Sequence, residues 1–361
     1  MVFDAAPLLK QFEAGREQGL HTGLQIHIRL HGKVLLDEAW GEERAGVSLQ
    51  TRALMLWMSS GKPLLAAGLA LLKDGRKLDW EDPVVMYLPE FGVHDKQDIT
   101  LRHLLTHTGG FRQADLLRDT DWDALVAKVC AVKREPGWIP GGKAGYHSAG
   151  SWVILGEVIR RITGSMPGPW LRENLFLPLG MTSTWLGLPP DSGLPVSLMH
   201  AAKNGVVSPH PDWSQEKNLR APWPGSNIFS TARDMAEFYA AMLKGGGGVL
   251  SLGTAHELVR AHREGLVDQT FKHPLRTGLG FLLDSKRENI NWHSYGYGRY
   301  ASVNTFGHGG NQSSVAFADP ARSLVVAAAY NTMPGELSHQ GRMRELLETV
   351  YEEAGLTANG R

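Results

Sequence analysis

The sequence predicts an α/β protein, an α+β sandwich in which an antiparallel sheet is flanked by helices and carries an inserted helical domain. Alternating apolar and polar runs, the signature of strands, occur near the start (GLQIHIRL, VLLDEAWG) and near the end of the chain (SSVAFADPARSLVVAAAYNT). Helical segments broken by Pro and Gly lie between them. We therefore assign residues 1–75 and 220–361 to an α/β domain built from both termini and residues 76–219 to a mainly helical insert.

The first elements follow from local patterns. Residues 3–19 have apolar positions at helical spacing and stop at Gly19. The next two alternating runs surround Gly32, which predicts a β-hairpin. Gly61–Lys73 reads as a helix with a dense apolar face that ends at Asp74-Gly75.

Capping residues and glycines set the middle elements. Thr100 caps a short helix, LRHLL, and a second helix covers about 149–162. Residues 183–228 are rich in Pro, Gly, Ser and Trp and are predicted to form long ordered loops. Thr231 and Asp234 have the spacing of a capping box at the start of a helix that stops at four glycines.

The last third returns to strands. Two strands are predicted around a turn at Asp319-Pro320, followed by a helix over about 340–354. A hairpin near the start and strands near the end indicate that both terminal parts share one sheet.

Composition excludes several classes of function. The chain has 37 Lys+Arg and 37 Asp+Glu, so no excess charge indicates binding to nucleic acid or to an anionic membrane. Cys130 is the single cysteine, which excludes an internal disulfide framework and a cysteine-cluster metal site. The longest apolar stretches, such as 64–72, are too short to span a membrane. Asp4 and the absence of a basic, then apolar, leader predict a cytoplasmic protein.

An S-x-x-K motif, Ser59 to Lys62, opens the apolar helix. Residues three apart on a helical turn face the same way, so the Lys62 ammonium can reach the Ser59 hydroxyl. Free backbone N–H groups at a helix N-terminus can also stabilise an oxyanion there. Pro63, which lacks an N–H, independently places Ser59 near the helix start. The motif alone is equally compatible with a capped helix and a surface lysine.

Two further motifs accompany it. Tyr146-His147-Ser148 lies at the start of the 149–162 helix, where a lysine cation would lower the pKa of the phenol and let it act as a general base. Gly307-His308-Gly309-Gly310 precedes an apolar strand, and its glycines would let a ligand approach the strand edge. A loop anchor and a strand-entry turn are the alternatives.

The order and spacing of these three motifs resemble the signature of serine β-lactamases and penicillin-binding proteins. The chain looks like the class C β-lactamase-like serine hydrolases, which include family VIII carboxylesterases, D,D-peptidases, D-aminopeptidases and acyltransferases. The resemblance covers about residues 20–350 and implies the β-lactamase/penicillin-binding-protein fold. The supporting stretches are KLDWEDPVVMYLPEF, ITLRHLLTHTGGF, YHSAGSWVILGEVIRRITG and FSTARDMAEFYAAML.

The resemblance implies a role for each motif residue. Ser59 would be the acyl-accepting nucleophile and Lys62 its electrostatic activator. Tyr146 would deprotonate Ser59 and then protonate the leaving group. The backbone N–H groups of Ser59 and Asn311 would form the oxyanion hole.

The departures from the family pattern bear on the substrate. His308, before Gly309 and Gly310, occupies the position of a lysine that holds the carboxylate of β-lactams, and Ser148 that of an asparagine. A largely neutral histidine and a short hydroxyl disfavour an anionic antibiotic. Aromatic residues expected near the cleft would suit an apolar acyl or alcohol group: Phe111, Trp213, Trp223, Tyr295 and Tyr297.

The predicted function is therefore a carboxylesterase that cleaves small or medium acyl esters through an acyl-enzyme on Ser59. We expect no metal, no cofactor, and a small-molecule ester as the partner. The alternatives are a β-lactamase, a D,D-peptidase or a D-aminopeptidase acting on an amide, an acyltransferase that uses the same acyl-enzyme, and a catalytically silent binding protein.

Overall fold

The computed structural model describes residues 3–116, 118–286 and 296–357. Within these residues the α-helices are α1 (Ala6–Glu17), α2 (Lys62–Asp74), α3 (Leu101–Leu105), α4 (Trp122–Cys130), α5 (Gly150–Thr163), α6 (Pro167–Leu171), α7 (Glu216–Arg220), α8 (Ala232–Leu243), α9 (Leu252–Val259) and α10 (Glu336–Glu353). The strands are β1 (Gly23–Leu30), β2 (Lys33–Arg44), β3 (Val47–Ser48), β4 (Met55–Leu56), β5 (Trp185–Leu186), β6 (His200–Lys203), β7 (Val206–Pro209), β8 (Ile228–Ser230), β9 (Leu282–Leu283), β10 (Phe306–Gly310), β11 (Ser314–Asp319), β12 (Leu324–Tyr330) and β13 (Thr332–Met333).

The main sheet joins the two ends of the chain. Its strand order is β3-β2-β1-β12-β11-β10-β9, and all neighbouring strands are antiparallel. At its centre β1 pairs with β12 in a register that sets Leu24 opposite Tyr330. Every residue of β12 is buried, because helices cover both faces of the sheet. The prediction of one antiparallel sheet shared by both terminal parts is confirmed.

Two apolar layers cover this sheet. On one face α1 and α10 pack together and bury Phe12 and Leu347 against sheet residues such as Ile26 and Val326. On the other face α8 contacts β1, β11 and β12 and joins a larger core that includes α2 and α5. The helical middle of the chain and the sheet therefore meet along α2, the helix that begins with the S-x-x-K lysine.

The predicted loops of 183–228 contain short strands. β5 pairs with β8, and β6 pairs with both β7 and β13, in two three-stranded sheets. The parallel pair sets His200 opposite Thr332, more than a hundred residues away in the chain. Strands of two to four residues are too short to show an alternating pattern, and their partners are distant, so local sequence did not reveal them.

The start of α8 differs in detail from the prediction. The Thr231 hydroxyl accepts a hydrogen bond from the Asp234 N–H at 3.1 Å, so Thr231 is the N-cap. The Asp234 carboxylate does not complete a capping box. It accepts hydrogen bonds from the Ser183 N–H at 2.7 Å and the Thr184 hydroxyl at 3.0 Å, and so anchors the strand β5 region to the helix. Among the helices of the described ranges, none has the length and apolarity needed to cross a membrane.

Candidate active site

Ser59 lies in a single 3₁₀ turn, Met58–Gly61, that runs directly into α2. Met58, which precedes Ser59, has a φ of 49°, a left-handed backbone conformation that residues other than glycine rarely adopt. The turn is held in place because the Trp57 N–H donates to the Ile228 carbonyl at 2.9 Å. Pro63 is in the first turn of α2, as predicted. The serine is thereby presented at the N-terminal end of a buried helix.

Hydrogen bonds fix the nucleophile turn to strands β10 and β11. The Ser60 hydroxyl donates to the His308 carbonyl at 3.0 Å and is 3.0 Å from the Ser314 hydroxyl, which donates to the Trp57 carbonyl at 2.8 Å. A Cβ on Gly310 would lie 2.2 Å from the Ser314 Oγ and 2.5 Å from the Trp57 carbonyl oxygen. Gly310 was expected to admit a ligand; it instead admits the backbone that carries Ser59.

Lys62 is fully buried, and its Nζ has three oxygen neighbours. These are the Ser59 Oγ at 2.9 Å, the Ser148 carbonyl at 2.9 Å and the Gly225 carbonyl at 2.5 Å. Burial lowers the pKa of Lys62 to about 7, with the negative charge of Asp115 acting in the opposite direction. A substantial fraction of this lysine is therefore a neutral amine at neutral pH.

Tyr146 lies on the other side of the serine. Its hydroxyl is hydrogen-bonded to Ser59, and its ring centroid is 5.4 Å from the Lys62 Nζ. Burial raises the pKa of Tyr146 above its usual value, despite that hydrogen bond. The expectation that the lysine cation lowers this pKa was wrong, because the loss of solvent around the phenol dominates and the carboxylates of Asp115 and Asp268 raise the pKa further.

The segment that carries Tyr146 is supported by a second buried pair. The Asp268 carboxylate accepts a hydrogen bond from the Tyr146 N–H at 3.1 Å and forms a 2.8 Å ion pair with Arg263. The Thr270 hydroxyl donates to the Tyr146 carbonyl at 3.1 Å, and the Phe271 ring contacts the tyrosine ring edge-on, with 5.1 Å between centroids. Asp268 and Arg263 could not be predicted from the sequence, because no motif surrounds them.

Asp115 caps the helix that follows Tyr146. Its carboxylate accepts hydrogen bonds from the backbone N–H groups of Ser148 at 2.6 Å, Ala149 at 2.8 Å and Gly150 at 2.7 Å. Helix α5 has no side-chain cap of its own, so a carboxylate more than thirty residues earlier satisfies its first donors. The role of Asp115 could not be predicted either, since capping from a distant segment leaves no local signal in the sequence.

His308 is buried on the strand β10 side of the cleft, with 2% of its surface exposed. Its Nδ1 is 2.7 Å from the Gly309 carbonyl oxygen. Burial, together with the charge of Lys62, lowers the pKa of His308 to about 3. The expectation of an uncharged histidine at this position agrees with this pKa.

A cleft of about 480 Å³ joins these groups. It is lined by Met58, Ser59, Arg118, Tyr146, Ser148, Trp213, Ser226, Thr270, Phe271, Leu282, His308, Gly309, Asn311 and Glu336. Lys62 is not among the lining residues and is connected to the cleft by the hydrogen bond between its Nζ and the Ser59 Oγ. A cavity of about 520 Å³ elsewhere, near Arg276 and His256, contains none of the motif residues, so its size does not make it the reaction site.

The aromatic lining differs from the prediction. Trp213 lines the cleft, as expected, and so does Phe271, which sequence analysis did not single out. Three other aromatic candidates belong to the apolar core: Phe111, Trp223 and Tyr297, with 0%, 7% and 0% of their surface exposed. The fifth candidate, Tyr295, lies outside the described residues. Cys130 is buried.

The fold and the S-x-x-K site together define a serine hydrolase of the β-lactamase-like class. The family model described as Beta-lactamase matches residues 9–351, and the chain belongs to this family. Among curated proteins it is similar to "Esterase/beta-lactamase LipL" of Mycobacterium tuberculosis, with 25% identity over 86% of this chain and 77% of that protein.

Solved structures with the same fold include penicillin-binding-protein homologues and esterases. A penicillin-binding protein homologue from Caulobacter crescentus has 26% identity and a TM-score of 0.79, covering 96% of this chain and 97% of that one. A family VIII carboxylesterase has 25% identity and a TM-score of 0.79, covering 96% of both chains. The predicted resemblance and fold are confirmed.

Proposed function

We propose that this protein is a carboxylesterase that hydrolyses small or medium acyl esters through an acyl-enzyme on Ser59. The observation that carries the proposal is the neutral His308 beside the Ser59–Lys62 pair, because a site for an anionic β-lactam would place a cation there. The similarity to a family VIII carboxylesterase over 96% of the chain supports the same choice.

The contacts of Lys62 favour it as the base in acylation. A neutral amine has two N–H donors and one lone pair, and the Ser148 and Gly225 carbonyls accept the two donors. The lone pair then faces the Ser59 hydroxyl at 2.9 Å. Ser59 Oγ attacks the ester carbonyl carbon while its proton passes to the Lys62 Nζ.

The remaining groups serve the intermediate and the leaving alcohol. The backbone N–H groups of Ser59 and Asn311 hold the oxyanion. When the C–O bond breaks, the alkoxide takes a proton from the Tyr146 hydroxyl, and Lys62 returns its proton to Tyr146. Compared with the prediction from the sequence, this assignment moves the role of base from Tyr146 to Lys62 and keeps Tyr146 as the acid, because a phenol with a raised pKa is a better acid–base relay than a resting base. Water then cleaves the acyl-enzyme by the same proton path in reverse.

A substrate panel tests the proposal. We expect rapid turnover of p-nitrophenyl acetate, butyrate and hexanoate and a far lower kcat/KM for a chromogenic cephalosporin. A fluorophosphonate probe should label Ser59 in the wild type and fail to label Ser59→Ala. Ser165→Ala, at an exposed serine after α5, is the matched control, which should keep the label. Label on another residue, or its survival in Ser59→Ala, would overturn the mechanism.

Amide hydrolysis is the second candidate. It is favoured by the relatives, since LipL carries both names, esterase and beta-lactamase, and another similar structure is a penicillin-binding protein homologue. Cephalosporin turnover above ester turnover in the same panel would establish it, as would turnover of a D-alanyl-D-alanine peptide added to the panel. If an alcohol is added and its ester forms in place of the free acid, the protein is an acyltransferase.

A further inference from the structure

The hydrogen bonding of His308 fixes which of its ring nitrogens carries the proton. A carbonyl oxygen can only accept, so the Nδ1 facing the Gly309 carbonyl at 2.7 Å must be the protonated one. The depressed pKa of His308 means that the ring carries a single proton at neutral pH. Its Nε2 is therefore a bare acceptor, a lone pair with no hydrogen.

That acceptor has no hydrogen-bond partner among the described residues, although it is buried. Burying a polar atom without a partner is costly, and such atoms in an active site indicate a group that arrives with the ligand. His308 lines the cleft, and with Nδ1 tied to the strand backbone, Nε2 is at the far end of the ring.

The position of His308 next to Tyr146 indicates which part of the ester it would contact. Its ring is 6.0 Å from the Tyr146 ring, centroid to centroid, and Tyr146 is the group that protonates the leaving alcohol in the proposed reaction. The alcohol side of the ester therefore lies nearer to His308 than the acyl side does. The cleft wall also includes Ser148 and Ser226, whose hydroxyls suit a hydroxylated alcohol better than an alkyl one.

We propose that His308 Nε2 accepts a hydrogen bond from a free hydroxyl on the alcohol portion of the ester, so that the preferred substrates are monoesters of diols or polyols. This inference rests on the proposed esterase function. A lysine at this position would present only donors and would select a carboxylate, whereas the neutral imidazole presents only an acceptor here.

Three butyrate esters test it. 2-Hydroxyethyl butyrate and propyl butyrate differ by a hydroxyl in place of a methyl, and 2-methoxyethyl butyrate carries an oxygen that cannot donate. All three form the same butyryl-enzyme, so deacylation is identical and kcat/KM reports acylation alone. We expect the wild type to prefer the hydroxyethyl ester over each of the other two by about tenfold or more.

The variants attribute this preference to one atom. In His308→Leu the hydroxyethyl-to-propyl ratio of kcat/KM should fall to about one, and in His308→Gln, whose amide oxygen can accept, it should be partly restored. His256→Leu, on the exposed face of α9, is the matched control and should keep the wild-type ratio. The ratio is compared within each variant, so a general loss of activity cancels, and the wild-type comparison stands even if a variant does not fold.

The outcomes separate the two proposals. Equal turnover of all three esters by the wild type, or a preference that survives in His308→Leu, overturns the assignment of His308 and leaves the esterase intact. Absence of turnover for every ester, with no probe label on Ser59, overturns the esterase itself.

Discussion

Arg263 and Asp268 form an ion pair in which neither side chain is more than 1% exposed, directly behind the segment that carries Tyr146. The Arg263 guanidinium also donates to the Thr106 and Leu275 carbonyls, at 3.0 and 3.2 Å. One buried pair thus joins three segments of the chain around one side of the active site.

Breaking this pair should destabilise the protein strongly. We expect Asp268→Asn and Arg263→Met each to lower the free energy of unfolding by about 3–5 kcal/mol, because each leaves one buried group without its partner. The double variant should cost less than the sum of the two. Urea unfolding measures this, with Arg220→Met in an exposed pair as the control, expected within about 1 kcal/mol of the wild type. A fully additive double variant would contradict the pairing.

The pH dependence of kcat/KM should report Lys62. If its neutral amine takes the proton from Ser59, activity rises with pH through the pKa of about 7 and is lost below it. Lys62→Arg should abolish this activity, since a guanidinium stays protonated. Lys73→Arg, at the far end of α2, is the matched control and should keep the wild-type profile. A flat profile from pH 5 to 8 would exclude the lysine as the base.

Asp115 should set the pH at which kcat/KM begins to rise, the acid limb of the profile. Its negative charge raises the pKa of Lys62, so Asp115→Asn should lower that pKa and move the limb to lower pH. Asp121→Asn, which alters the cap of α4 in the same way, should leave the limb in place. A loss of activity with no movement of the limb would show that Asp115 acts through structure alone.

Burial of Lys62 should also appear in stability. Because its pKa falls from 10.5 to about 7 on folding, the unfolded chain binds more protons between these values, and stability must rise with pH in that window. The contribution is about 1.4 kcal/mol per pH unit. The difference in unfolding free energy between wild type and Lys62→Met should show this slope between pH 7.5 and 9.5. A difference that does not vary with pH would refute it.

Gly310 should tolerate no side chain. A Cβ there would meet the Ser314 Oγ and the Trp57 carbonyl, so Gly310→Ala should displace the nucleophile turn and reduce kcat by at least about a hundredfold. Gly253→Ala, in α9 with open space around it, is the control and should be active and no less stable. Near-normal turnover by Gly310→Ala would show that strand β10 need not approach the turn so closely.

Local sequence predicted the groups that do chemistry better than those that hold them. The S-x-x-K spacing and Pro63 were sufficient to place Ser59 at a helix start, because all these residues interact within one turn. Asp115 and Asp268 could not be predicted, since each bonds backbone groups far away in the chain. The predicted direction of the Tyr146 pKa shift was wrong for a related reason. That direction depends on burial, which is a property of the packed cleft.

The pairing of β1 with β12 also has a consequence for how the protein is made. These two central strands are far apart in the sequence, so the sheet cannot close until the segment that ends at Tyr330 has been synthesised. Contacts between such distant segments form slowly during folding. The strand that faces Ser59 belongs to the late part, and so a nascent chain carries its nucleophile long before it has an active site.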